Sequence, residues 1–115
     1  MSLQIEHTEV ESGVVVITLT GRVMLGETSA EIESLVKRLI GEGKNRVVFE
    51  LDGVTHIDST GIGRFISSLN KLREAGGGLR MAGATGQVRD AFHVTRLDTI
   101  FNFDDNVEAA LKALG

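Results

Sequence analysis

No cysteine occurs among the 115 residues, which excludes disulfides, thiolate metal sites and cysteine nucleophiles together. Tryptophan, tyrosine and proline are absent as well, and the aromatic content of 4% is all phenylalanine. That scarcity argues against the stacked-aromatic platforms that hold single-stranded nucleic acid. The formal net charge is -4, and Arg22, Arg46, Arg64 and Arg96 are scattered, so no basic patch and no nucleic acid partner are expected. The longest purely apolar run, residues 14–17, is far short of the roughly 20 residues of a spanning helix, so no membrane segment is expected. Residues 1–7 show neither a basic nor an apolar signal-peptide region, which makes a cytoplasmic location the expectation. His7, His56 and His93 fall on three different expected elements, and no metal or cofactor is assigned.

What is present is regular patterning over a length that fits one domain, residues 1–115. Leu3 and Ile5 alternate with polar neighbours, Glu11-Ser12-Gly13 supplies a turn, and the β-branched run 14–20 ends at Gly21, which reads as a hairpin. Residues 22–27 have no period and form a candidate exposed loop. Thr28-Ser29-Ala30-Glu31 has capping-box spacing, and Ile32, Leu35, Val36, Leu39 and Ile40 follow at helical steps before Gly41 and Gly43. Glu31, Glu33, Lys37 and Arg38 read as that helix's solvated face. An interior strand is expected at 46–51, stopping at Asp52-Gly53 and leading through a loop to a second helix that ends at Ala75-Gly76. A strand at 79–82, a turn at 83–86 and a short helix around Val88, Ala91 and Phe92 come next. A last strand at 99–103 precedes a helix whose start carries Asp104, Asp105 and Glu108 and whose buried stripe is Val107, Ala110, Leu111 and Leu114. Phe49, Phe65 and Phe92 are expected in the core, while Phe101 or Phe103 is a candidate for exposure to a partner. The fold class is therefore α/β, with a mixed, mostly parallel sheet and four helices in the order β-β-α-β-α-β-α-β-α.

The chemistry concentrates in Asp58-Ser59-Thr60-Gly61-Ile62-Gly63, which joins a strand to the amphipathic run Ile62, Phe65, Ile66 and Leu69. In its plainest reading Asp58, Ser59 or Thr60 caps the helix. A hydrolase triad of His56, Asp58 and Ser59 is disfavoured, because neighbours on one loop cannot converge and the first glycine of Gly-x-Ser-x-Gly is replaced by Ile57. A nucleotide loop is weakly supported, since Ile66 stands where the dinucleotide fingerprint needs its third glycine. Modification of Ser59 is the remaining possibility. A phosphoryl group there would meet free N–H groups and the positive end of the helix dipole, while its charge beside Asp58 would change what the surface can bind.

The run 58–63, preceded by Val47-Val48-Phe49-Glu50-Leu51 and the spacer 54–57, resembles the signature of the STAS domain, in particular of bacterial anti-sigma factor antagonists. The order of elements is similar to that family from end to end. The resemblance implies that Ser59 is the phosphorylation site and that an anti-sigma factor serine kinase is the partner, released on phosphorylation and restored by a serine phosphatase. It implies no turnover by the chain itself. It also implies a binding surface of Asp58, Thr60, Gly61, Ile62, Gly63 and the 21–26 loop. Many antagonists carry an Asp three residues after the hairpin's closing glycine; Met24 stands there in this chain. That departure keeps in view a STAS scaffolding subunit of a signalling or transport assembly; a nucleotide-binding module with its pocket under the Ser59 loop is a separate alternative.

Overall fold

The computed structural model describes residues 3–114. Strand β1 (Gln4–Glu11) turns back through Gly13, at φ 79°, into β2 (Val14–Val23). Then come α1 (Glu27–Gly41), β3 (Arg46–Ile57), α2 (Ser59–Glu74), β4 (Gly78–Ala82) and α3 (Gly86–Val94). A single 3-10 turn (Leu97–Thr99) leads to β5 (Phe103–Asp104) and α4 (Val107–Leu114). The strands lie in chain order, β1-β2-β3-β4-β5, with β1 antiparallel to β2 and every later pairing parallel.

Because parallel crossovers are right-handed, a sheet whose strand order follows the chain receives its connecting helices on one face. Ile32, Val36 and Leu39 of α1, Phe65 and Leu72 of α2, and Val88 and Phe92 of α3 accordingly share one core with Ile17, Leu19, Val47, Phe49, Leu51 and Met81. The alternate strand residues Val16, Val48 and Ala82 point the other way and are covered by α4 through Ala110, Val107, Leu111 and Leu114. The phenylalanines form one connected group, with Phe49 edge-on to Phe65 at 5.0 Å and Phe92 edge-on to both Phe101 and Phe103 at 5.3 Å. Such pairs contribute about 0.5–1.5 kcal/mol each beyond their buried area. Neither Phe101 nor Phe103 is exposed for a partner: the first is buried, and the second is half-buried beneath the Arg89 guanidinium, 4.1 Å from its ring centre.

Several local expectations are corrected by long-range contacts. The capping box does not form. Helix α1 starts at Glu27 behind Gly26 with no side-chain cap, and the Ser29 hydroxyl donates back to the Gly26 carbonyl at 3.0 Å. Glu33 is not merely solvated, since it pairs with Arg64 of α2 at 2.9 Å. Arg22 and Val23 belong to β2, and residues 54–57 belong to β3. Strand β3 passes straight through Asp52-Gly53: Thr18 faces Glu50 but Thr20 faces Gly53, and Gly21 faces Val54 but Arg22 faces His56. It thus carries an extra residue at two bulges. At the first, a Cβ on Gly53 would lie 3.1 Å from Thr20 Oγ1, so a glycine suits the crowded bulge. The expected strand 99–103 is mostly irregular: Thr99 closes the 3-10 turn entered through Arg96 at φ 61°, residues 100–102 form no strand, and strand pairing is confined to Phe103–Asp104. Asp104 does not start α4; it holds Arg80 at 2.6 Å, and Asn106 caps that helix by accepting from Ala109 N–H at 2.9 Å.

Candidate functional site

The bulges of β3 bring its end level with that of β2, so that Val23 lies opposite Ile57. The next residues, Met24 and Asp58, leave the sheet side by side. Asp58 N–H donates to the Val23 carbonyl at 3.4 Å, after which the chain turns into α2. Of the three candidate caps, Asp58 takes the position: its backbone is extended and its Oδ1 accepts from Gly61 N–H at 2.8 Å. The other carboxylate oxygen accepts from Leu25 N–H at 2.9 Å. One side chain therefore ties the first turn of α2 to the 24–26 loop.

Burial is the largest single influence on the Asp58 carboxyl and pushes its pKa up. Hydrogen bonds from the N–H groups of Gly61, Leu25, Thr60 and Asp58 itself together outweigh it and hold the pKa below the ordinary value. Asp58 is thus a charged acceptor at neutral pH, as suits a carboxylate at a helix N-terminus.

With the cap supplied by Asp58, Ser59 is the first residue of α2, exposed, and its hydroxyl has no intramolecular partner among the described residues. Thr60 is half-buried. Gly61 and Ile62 lie beneath the surface: Ile62 packs into the core, and a Cβ on Gly61 would sit 1.9 Å from the Val23 carbonyl oxygen. That backbone-to-backbone approach is what requires a glycine. Gly63 is different, exposed and with open space around it. The outward-facing members of the expected surface are Ser59, Gly63 and Met24, and Leu25 joins them at 79% exposure.

Two supports were not visible in sequence. Beyond the end of β4 the edge of β3 has no strand partner, and Gln87 of α3 takes that place. Its Oε1 accepts from Ile57 N–H at 2.9 Å and its Nε2 donates to the Ile57 carbonyl at 3.1 Å. Arg64, one turn into α2, donates to Glu33 and, through Nε, to Ser29 Oγ at 3.3 Å, which joins the helix to the start of α1. A hydrogen bond from Ser67 is the largest influence on Glu33. It acts with Arg64 and Lys71, against burial, to keep the Glu33 pKa below its ordinary value.

The geometry bears on the competing chemistries. His56 turns its Nδ1 to Thr55 Oγ1 at 3.0 Å, and both Asp58 oxygens are taken by main-chain N–H groups, so no base and orienting acid converge on Ser59. Among the described residues no group of three or more His, Asp or Glu side chains could hold a metal ion, and no helix is long and apolar enough to cross a membrane. The depression between the 24–26 loop and α1 has a volume of 220 Å³, below the roughly 300–1,000 Å³ of small-molecule pockets, while the open groove along α2 lined by Gly63, Ile66 and Ser67 has 460 Å³.

Known proteins share this fold. The chain is 25% identical over 81 residues to an anti-sigma-B factor antagonist of Staphylococcus aureus, an alignment covering 70% of this chain and 75% of the relative. Its fold superposes on the crystal structure of an anti-sigma factor antagonist from Mycobacterium paratuberculosis with a TM-score of 0.80 at 23% identity, covering 98% of this chain and 94% of the other. A Bacillus cell fate determinant, SpoIIAA, solved in the phosphorylated form, aligns with a TM-score of 0.73 at 19% identity over 97% and 99% of the two chains. The STAS domain family model matches residues 7–110, a span that runs from within β1 to within α4 and takes in the α2 turn, and the chain belongs to that family.

Proposed function

We propose that this chain is an anti-sigma factor antagonist, switched at Ser59. The observation that carries the reading is the division of labour at the start of α2. Asp58 does the capping, which leaves an exposed serine hydroxyl without a structural task at the positive end of a helix. The similarity to relatives that are anti-sigma factor antagonists supports the same reading.

In this account the unmodified surface of Ser59, Gly63 and the 24–26 loop binds an anti-sigma factor and so frees a sigma factor. The anti-sigma factor is itself a serine kinase. Ser59 Oγ attacks the γ-phosphorus of its bound nucleoside triphosphate; the Oγ–P bond forms, the bond to the β-phosphate oxygen breaks, a nucleoside diphosphate leaves, and the hydroxyl proton passes to a base of the kinase. The fold tolerates the product, because Ser59 is exposed and the positive end of the helix dipole favours phosphate oxygens. The interface does not: about -1.5 to -2 of charge arrives next to the ionised Asp58 and repels what the neutral hydroxyl admitted. A serine phosphatase hydrolyses the ester, returning Ser59 and inorganic phosphate. The chain is a substrate and ligand in the cytoplasm, with no turnover of its own.

The test is to incubate the purified chain with MgATP and each serine-kinase anti-sigma factor encoded in the same genome, mapping any added phosphate by mass spectrometry. Phosphate on Ser59, absent from Ser59→Ala, is the expected result. Absence of label with every kinase, or label elsewhere, overturns the switch.

A further inference from the structure

Two apolar side chains stand in solvent beside Ser59: Leu25 is 79% exposed and Met24 36% exposed. Isolated exposed apolar residues are ordinary. These two are unusual in how their backbone is held. Val23 before them is fully buried, Leu25 N–H is bound to Asp58 at 2.9 Å, and the Gly26 carbonyl after them accepts from Ser29 at 3.0 Å. Gly26 sits at φ 150°, where a side chain would be strained. The loop is pinned along its length, yet the Leu25 side chain has no core to enter. The residue that pins it is also the cap of the helix bearing Ser59.

We infer that Leu25, assisted by Met24, is the docking anchor by which the kinase for Ser59 recognises this chain, entering an apolar socket beside that kinase's phosphate-transferring centre. The inference rests on reading Ser59 as the phosphate acceptor. A kinase that places a γ-phosphate on Ser59 Oγ must cover the surface around it, and the loop is joined to that surface through one residue, Asp58. An exposed leucine on a pre-ordered loop can be buried with little ordering cost, so its apolar surface adds to affinity almost undiminished. The socket must be uncharged, because an ionised group facing Leu25 would lose its water without gaining a partner. Kinases with a polar group at that place are thereby rejected, and Leu25 sets partner choice as well as affinity.

Docking and chemistry separate in the kinetics. An anchor that does not itself touch the transferring phosphate stabilises ground and transition states alike, so its loss raises KM and leaves kcat in place. Full-length wild type, Leu25→Ala, Leu25→Asp and Leu25→Met are phosphorylated with MgATP by the same genome's serine-kinase anti-sigma factors, each purified, and their melting temperatures are recorded. Expected are unchanged melting, KM raised about 10- to 100-fold in Leu25→Ala and further in Leu25→Asp, unchanged kcat for Leu25→Ala, and near wild-type behaviour for Leu25→Met. Wild type labelled on Ser59 with all four proteins sharing one KM overturns the anchor and leaves the Ser59 reading intact. A fall in kcat alone also overturns it. Wild type unlabelled by every kinase removes the Ser59 reading and the anchor with it.

Discussion

Replacing Gly61 with alanine tests how α2 is seated on the sheet. The added Cβ would lie 1.9 Å from the Val23 carbonyl oxygen, 2.8 Å from the Val23 carbonyl carbon and 2.9 Å from Ile57 Cγ1. Two of these atoms are backbone inside a paired strand, so the helix rather than the neighbour must give way, by more than about 1 Å to restore ordinary contact. Such a shift pulls on the bonds from Asp58 N–H to Val23 and from Leu25 N–H to Asp58. Overpacking costs about 1–3 kcal/mol, and each weakened hydrogen bond about 1 kcal/mol. Alanine's better helix propensity returns about 1 kcal/mol. The expected net loss is about 3 kcal/mol, a large part of the roughly 5–15 kcal/mol that holds a domain together, and a fall in Tm of roughly 10 °C. Gly63, two residues on, is the internal control. Nothing lies within 4 Å of the point where a Cβ on Gly63 would stand, so Gly63→Ala should stabilise by about 0.5–1 kcal/mol. Urea unfolding followed by far-UV circular dichroism reads both. A Gly61→Ala protein as stable as wild type would refute the close approach of α2 to β2.

Asp58→Asn keeps one acceptor for Gly61 but turns an amide toward Leu25 N–H or forgoes it, and should cost about 1–2 kcal/mol at neutral pH. The folded-state pKa of Asp58 is depressed, so its contribution is present above the unfolded-state value and lost as pH falls through the folded-state value. The stability gap between wild type and Asp58→Asn should therefore shrink in acid; a gap constant across the carboxylate range would contradict that cause. Gln87→Ala removes both bonds to Ile57 and should cost about 1–3 kcal/mol. Faster hydrogen exchange at the Ile57 amide is its specific sign, and unchanged exchange there would rule the role out. Ser59→Ala should leave stability within about 0.5 kcal/mol, because the hydroxyl carries no intramolecular bond among the described residues and alanine is well suited to a helix. A larger loss on urea unfolding would show that Ser59 has a structural task after all.

Local pattern carries the reading of the sequence a long way. Helical spacing of Ile32, Val36 and Leu39 and of Ile62, Phe65 and Leu69 matches the buried faces of α1 and α2, and the β-branched runs match β2 and β3. What local pattern misses is decided by residues distant in the chain. Asp52-Gly53 has the composition of a turn, yet β2 pairs past it on both sides and makes it a bulge. Thr99, Phe101 and Phe103 alternate like a strand, while the 3-10 turn at 97–99 takes up the first of them. Asp104 looks like a helix-start acid until Arg80, 24 residues earlier, claims it. At the site itself, 58–63 is legible as a strand-to-helix turn. Gly61 and Gly63 read alike in sequence and differ only because Val23 lies against one of them. Leu25 leaves no periodic signal, and Gln87 cannot be linked to Ile57 before α3 is placed.

The central claim is that phosphate on Ser59 alone decides whether this surface binds its anti-sigma factor. The most direct measurement is calorimetric titration of that factor with the same chain in two forms, unmodified and fully phosphorylated on Ser59 as verified by intact mass. Binding of the unmodified chain, with affinity at least about 100-fold weaker for the phosphorylated one, a difference of about 2.7 kcal/mol, is the result the account requires. Equal affinity of the two forms would contradict it.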